Sequence, residues 1–475
     1  MRRDAFLRAS AAGMLAQAFP CAGRAAATEV VEYSLTAAPL AFSPVRGASF
    51  AGLAYNGTIP GPLLRVVHGQ RLRVHYRNRA ATETAVHWHG MILPNAMDGA
   101  AGVTQPPVPD GGTYLYEFAP GPAGTRWYHD HTMGTGMGGP RGLFGMIVVE
   151  DPRDEPADAE FAVVLHDVPD LRSVSAALHG SSNAAMVDPP GSAEMRAMRA
   201  DDRMGDEVAY LAHCINGGAY PHATPLRVRV GQHVRLRILN ASPTQTRYLR
   251  LAGHRLHVTH ADGNALDRPL DVDALRIGVA ERYDAWFEVR GPGSWLLQSV
   301  SMDPLAFQQA LVVQTPGMER AAPLGVAQTL DGIDFFTYER AAGIATNPVQ
   351  PGRAHVDEHL ILAGRYGSSR WTINGRTWPD TEKIAVARGD RVVLRFTNTT
   401  AMHHPMHLHG HTFRITEVNG RRLARPLAKD VALVDPHGGT LAWEFDATSP
   451  AGRWLLHCHN DVHMVDGMMT EVVYR

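Results

Sequence analysis

The sequence predicts an all-β protein made of three consecutive β-sandwich domains. Two observations carry this reading: one unit occurs three times at a spacing of about 160 residues, and every copy alternates apolar and polar residues with period two. The copies are YNGTIPGPLLRVVHGQRLRVHYRN from Tyr55, INGGAYPHATPLRVRVGQHVRLRILN from Ile215 and INGRTWPDTEKIAVARGDRVVLRFTN from Ile373. Each opens on Asn-Gly, passes a Pro, alternates apolar residues around a Gly and ends on an Asn nine residues after that Gly. Asn-Gly favours a tight hairpin turn, and the alternation puts one face of each strand in a core. With 46 Gly and 32 Pro among 475 residues, and few helical stretches, each unit reads as an antiparallel sandwich.

The N-terminus differs from the rest. Residues 1–27 carry Arg2-Arg3, an apolar segment from Ala9 to Phe19 and small residues near Ala25 to Ala27. That is the organisation of an export signal, twin-arginine-like, with a general secretory signal as the alternative. The apolar segment is too short to span a bilayer, and no later run reaches the 18 apolar residues a membrane helix needs. A periplasmic or secreted protein that does not cross the membrane is expected.

The three domains are placed at residues 28–152, 153–316 and 350–475. The first break is the acidic, Pro-rich EDPRDEPADAE, and the second is a less regular linker from about 314 to 355. A composition of 45% hydrophobic and 19% charged residues supports cores of ordinary size, while a formal net charge of -2 and the absence of a basic stripe argue against nucleic acid as a partner. Of three cysteines, Cys21 leaves with the signal, Cys214 in LAHCINGG reads as a small buried apolar residue, and Cys458 lies between two histidines. No disulfide framework is expected.

Four His-x-His pairs stand out: His87 and His89, His129 and His131, His407 and His409, and His457 and His459. Residues i and i+2 of a strand point to the same face, so each pair offers two imidazoles to one site. One pair alone would mean little. Two pairs in the first domain, two in the third and none in the middle one predict about three metal ions held between the outer domains.

Parity identifies a second site. Cys458 points away from His457 and His459, and His404, three residues before His407, likewise faces away from its own pair. His463 and Met468 follow Cys458 on the loop after its strand. One thiolate, two imidazoles and a thioether form the ligand set of a blue copper electron-transfer site. A structural zinc site is the alternative, but zinc sites seldom recruit methionine. One strand would then serve two metal sites, joined by a few bonds of its own backbone.

HWHG, HDH, HPMHLHGH and HCHNDVHMVDGM, in this order and separation, resemble the four copper-binding segments of the multicopper oxidases, and the repeats resemble the three-domain, laccase-like members. The resemblance spans essentially the whole mature chain and implies cupredoxin-like, Greek-key β-sandwich domains. It implies His404, Cys458, His463 and Met468 as ligands of a type 1 copper and His87 and His407 as ligands of a type 2 copper. His89, His129, His131, His409, His457 and His459 would hold the type 3 pair, making four copper ions per chain and no organic cofactor. The implied reaction couples four one-electron oxidations to reduction of dioxygen to two waters.

Dioxygen reduction consumes protons, and Asp98 in NAMDG matches the family's position for a proton-relay carboxylate. An Asp-Gly turn is the plainer reading of the same dipeptide. A second acidic position of some relatives is Val462 here, and Asp461, one residue earlier, is expected to point elsewhere. The reductant class divides two ways: phenols and aromatic amines, as for a laccase, or cuprous and other metal ions in copper homeostasis. Met186, Met195, Met198 and Met204, with Met133 and Met137, could guide cuprous ions, although the spacing of Met195 and Met198 also fits the apolar face of a helix. His254, His257 and His260 do not share strand parity and read as packing or surface residues. A catalytically silent cupredoxin-fold protein is disfavoured because all the ligand positions are retained.

Overall fold

The computed structural model describes residues 29–132, 138–172, 208–301, 309–326, 332–345, 354–365 and 369–475. The predicted export signal and Met133, Met137, Met186, Met195, Met198 and Met204 lie outside the described residues.

The repeated asparagines explain the repeat. Asn56, Asn216 and Asn374 have φ of 53, 52 and 51°, and the glycine after each is also at positive φ, as a type I′ turn requires. Their side chains tie each turn to the first strand of its domain. Oδ1 accepts from the N–H of Thr36, Val164 and Ile361, and Nδ2 donates to the carbonyls of Ser34, Ala162 and His359, all between 2.7 and 3.1 Å.

The asparagine that closes each copy is a buried corner. Nδ2 of Asn78 donates to the carbonyls of Thr82 and Val108, that of Asn240 to Gln245 and Ile277, and that of Asn398 to Met402 and Asp435. Their Oδ1 atoms accept from Ala80, Ser242 and Thr400 N–H. One amide thus satisfies the backbone of a loop that would otherwise be buried with open hydrogen bonds.

Six sheets, two per domain, form among the described residues. They are mixed, which departs from the antiparallel expectation. Val30–Phe42 pairs in parallel with Arg71–Asn78, Ala159–Pro169 with His233–Asn240, and Val356–Gly364 with Arg391–Asn398. After the Asn-Gly turn the chain crosses to the opposite sheet and returns beside the first strand, and such a crossover joins strands running the same way. Period-two alternation reports which face is buried and carries no information about a neighbour's direction. The result is a cupredoxin-like sandwich in three copies.

The linker is more ordered than expected. Phe335–Phe336 extends a sheet of the middle domain by pairing with Ala274 and Leu275, and a short helix, Tyr338–Ala342, follows with Thr337 as its N-cap. Among the described residues no helix is long and apolar enough to cross a membrane.

The corners also place the candidate ligands. Nine and eleven residues after the corner asparagine come His87 and His89 in the first domain and His407 and His409 in the third. In the middle domain the same positions hold Leu249 and Leu251, both buried.

Candidate metal centres

Two adjacent strands in each outer domain carry the imidazoles. Val86–His89 pairs with Gly124–Asp130 in the register His87 to His129, and His404–Leu408 pairs with Arg453–Cys458 in the register His407 to His457. The two domains then face each other across a local pseudo-twofold. The rings of His87 and His409 stack with centroids 3.8 Å apart, and those of His89 and His407 at 3.7 Å. All eight predicted imidazoles, those of His87, His89, His129, His131, His407, His409, His457 and His459, are buried together.

Hydrogen bonds fix which nitrogen each ring offers. Nδ1–H of His87 donates to the Asp98 carbonyl and that of His407 to the Asp430 carbonyl, both at 2.7 Å. Nδ1–H of His129 and of His457 donate to the carbonyls of Asp130 and Cys458. The opposite atoms, Nε2 of His87, His129 and His407, have no hydrogen-bond partner although buried. His89 is reversed: Nε2–H donates to Asp430 Oδ1 at 3.1 Å, and Nδ1 is the atom left without a partner.

The carboxylates repeat this symmetry. Asp98, of the first domain, reaches across to Nδ1–H of His409 at 2.9 Å, while Asp430, of the third, reaches back to His89. Each aspartate therefore holds one histidine of its own domain by its carbonyl and one of the opposite domain by its carboxylate. The predicted Asp98 is in place beside the imidazoles, whereas its mirror partner Asp430 escaped the sequence reading.

These atoms fit a metal. Nε2 of His457 lies 3.0 Å from Nε2 of His409 and 3.3 Å from Nε2 of His131. Ligands about 2 Å from a shared ion sit roughly 3 Å apart. Burial, reinforced by neighbouring imidazoles, lowers the pKa of His89, His131, His407 and His409 well below the ordinary value, and burial brings His457 down to about 4. The rings are thereby kept neutral, the form that binds metal.

The second centre lies on the other face of the same strand. Cys458 Sγ is 3.6 Å from His404 Nδ1 and 3.5 Å from His463 Nδ1, and the two nitrogens are 3.0 Å apart. His404 Nε2 shares a hydrogen bond with Thr400 Oγ1 at 2.8 Å, which leaves Nδ1 for the centre. His463 is carried on a short helix, Asp461–Val465, not on a loop, because Asn460 Oδ1 caps it by accepting from Val462 and His463 N–H. Trp371 lies against the His463 ring at 3.8 Å. Met468 is fully buried and is tied to Cys458 through the main chain, its carbonyl accepting Cys458 N–H at 3.0 Å. Thr400, Asn460 and Trp371 were not singled out from sequence. Asn460 alone had a visible signal, an N-cap residue followed by Asp.

A cleft is lined by His129 and His459 together with Asp130 and Asp461. Asp461 therefore points toward the cluster side, contrary to the expectation, because the helix after Asn460 turns it back. Burial pushes its carboxyl up to about 8, with Asp130 adding to the effect. His254, His257 and His260 take no part in either centre; His257 pairs with Asp271 and His260 with Thr259. Cys214 is fully buried, as read.

Three family models described as multicopper oxidase match residues 39–154, 192–314 and 330–475. The chain is 36% identical over 440 residues to the multicopper oxidase MmcO of Mycobacterium tuberculosis, covering 90% of this chain and 84% of that protein. It is 25% identical over 571 residues to a copper resistance protein A homolog of Pseudomonas syringae pv. tomato, covering 96% and 94%. It is 26% identical over 470 residues to laccase-4 of Trametes villosa, covering 89% and 85%.

Proposed function

Because this chain belongs to the multicopper oxidase family, a family of copper-dependent oxidoreductases, we propose that it binds four copper ions and oxidises small aromatic reductants with dioxygen as the acceptor. In this reading His404, Cys458, His463 and Met468 hold one ion, His87 and His407 a second, and His89, His129, His131, His409, His457 and His459 a pair. Bound copper supplies one-electron chemistry at the first centre and multi-electron reduction of dioxygen to water at the cluster.

The observation that carries this is the double use of one strand. Cys458 faces one centre while its two chain neighbours, His457 and His459, face the other. Only main-chain and side-chain bonds separate the sulfur from the imidazoles, so electrons need no jump through space. Asp98 supports proton delivery: its Oδ2 holds His409, and its Oδ1, buried beside His87, has no hydrogen-bond partner. The cleft beside His129 and His459 offers small neutral molecules a way in and out. Export to the periplasm or the exterior, from residues 1–27, completes the reading.

A second reading, oxidation of cuprous ion, is favoured by the likeness to a copper resistance protein. Oxygen uptake by the copper-loaded protein separates the two. Uptake with a phenol and little with cuprous ion supports the laccase-like reading; the reverse pattern replaces it with the second. Cys458→Ser should lose the blue colour and oxygen uptake with both reductants while keeping its circular dichroism. Undiminished turnover by that variant would sink the proposed electron path.

A further inference from the structure

The middle domain supplies no predicted ligand, yet one of its arginines stands one residue away from the cluster. Arg282 grips the Asp430 carboxylate with both ends of its guanidinium, Nη1 to Oδ1 and Nη2 to Oδ2, each at 2.6 Å. Arg126, of the first domain, adds a bond to Oδ2 at 3.1 Å. The same carboxylate receives His89 Nε2–H. Three domains thus meet on one buried side chain of the third.

We propose that Arg282, acting through Asp430, is a positioning residue that holds His89 with Nδ1 toward the cluster, so that the ligand-free middle domain sets the geometry of a metal centre lying between the other two. The proposal rests on the copper reading above. Its first support is the reversal at His89, the ring whose far nitrogen is anchored by a carboxylate and whose near nitrogen is left open. Its second is the contrast between the two mirror-related aspartates. Among the described residues no arginine pairs with Asp98, which keeps one oxygen open, whereas both oxygens of Asp430 are taken by guanidinium groups.

Arg282 is itself locked. Its Nε donates to Thr125 O, and its Nη atoms also donate to the carbonyls of Ala280 and Asp262. A fork with every donor engaged is a rigid reference point, which the point charge of a lysine cannot reproduce. The third support is Gly90, the glycine of H-W-H-G. It sits at φ 78°, and a Cβ there would lie 2.5 Å from Asp430 Oδ2 and 2.6 Å from Arg282 Nη2. The residue after His89 is small because the ion pair occupies the space beside it. Outer partners that orient a ligand typically govern metal affinity by about 10–100-fold.

The test uses two variants that leave every charge in place, Arg282→Lys and Gly90→Ala, with Arg235→Lys as a control. Arg235 is a buried arginine of the middle domain paired with Asp284 at 2.6 Å and makes no contact with Asp430. Copper content and affinity are read by chelator competition, the Cys458 centre by its blue absorption, and the cluster by electron paramagnetic resonance. We expect both variants to bind cluster copper about 10–100-fold more weakly with an altered resonance spectrum, their blue absorption unchanged, and the control to match wild type in all three. Wild-type cluster affinity and spectrum in Arg282→Lys and Gly90→Ala, or an equal change in the control, would overturn the proposal. Absence of cluster copper from the wild type would instead overturn the copper reading.

Discussion

Replacing Lys429 with methionine should loosen the junction of the middle and third domains more than any surface change. Lys429 is fully buried, with Nζ 3.0 Å from Asp262 Oδ2 and 3.0 Å from Glu281 Oε1. Burial alone would lower its pKa, but Asp262 and Glu281 outweigh that and hold it above the ordinary value. At an effective dielectric of about 20, each contact contributes roughly 5 kcal/mol of attraction before desolvation is counted. Methionine fills the volume but removes the cation that both carboxylates contact, leaving Asp262 the longer 3.6 Å contact to Arg282. Removing one partner of a buried pair typically costs about 3–5 kcal/mol, which for a unit of roughly 150–250 residues lowers the melting temperature on the order of 10 °C. The assay is urea and thermal unfolding of the copper-free protein, so that ion binding does not add to stability. Lys429→Met should cost at least about 1 kcal/mol less in a Glu281→Gln background than in the wild type, because one of the charges it would strand is already gone. A loss below about 1 kcal/mol, or strictly additive effects in the double variant, would refute the view that these domains are held by paired charge.

Further predictions concern pH, the corner asparagines and the proton route. Burial pushes His166 down from 6.5 to about 4, and its Nε2 accepts Gly217 N–H at 3.0 Å. Its contribution is therefore complete above pH 6.5 and fades as pH falls toward 4. The stability difference between wild type and His166→Gln should shrink by about 3 kcal/mol over that window, and a constant difference would contradict the burial argument. Asn398→Ala and Asn240→Ala should each cost about 2 kcal/mol or more by stranding buried carbonyls. Only Asn398→Ala should also weaken copper at the Cys458 centre, since its loop leads to His404; chelator competition on both variants checks this, and equal effects would show that the corner does not place ligands. Asp98→Asn should retain copper yet slow dioxygen reduction with a changed solvent isotope effect, and an unaltered rate would remove Asp98 from the proton route.

The triple repeat was legible because its determinants are local. An Asn-Gly turn needs positive φ at its own two residues, and each corner amide accepts from the N–H two residues on and donates to a carbonyl four or five residues on, so the same letters recur wherever the same turn is needed. The two side-chain clusters were legible for a related reason: side-chain direction along a strand alternates strictly, and parity alone separates Cys458 from His457 and His459. Strand direction was not legible, since alternation is blind to it. Asp461 was misread because the extended parity that works up to His459 ends at the Asn460 cap.

Lys429 and Asp430, in RPLAKDVALV, and Arg126 and Arg282 are all buried, and none of them was singled out from sequence. Their burial depends on partners far along the chain, Arg282 standing 148 residues and Arg126 304 residues from Asp430. A charge can be buried only where an opposite charge and matching hydrogen bonds arrive with it, and no local pattern records that arrival. By itself the sequence determined the three sandwiches, the histidines and cysteine that come together in two clusters, and the face of the strand each one occupies. The tertiary structure decided the junction: which nitrogen of His89 is tied to Asp430, which aspartate keeps an oxygen open and which has both oxygens bound, and that an arginine of the middle domain reaches the carboxylate beside His89.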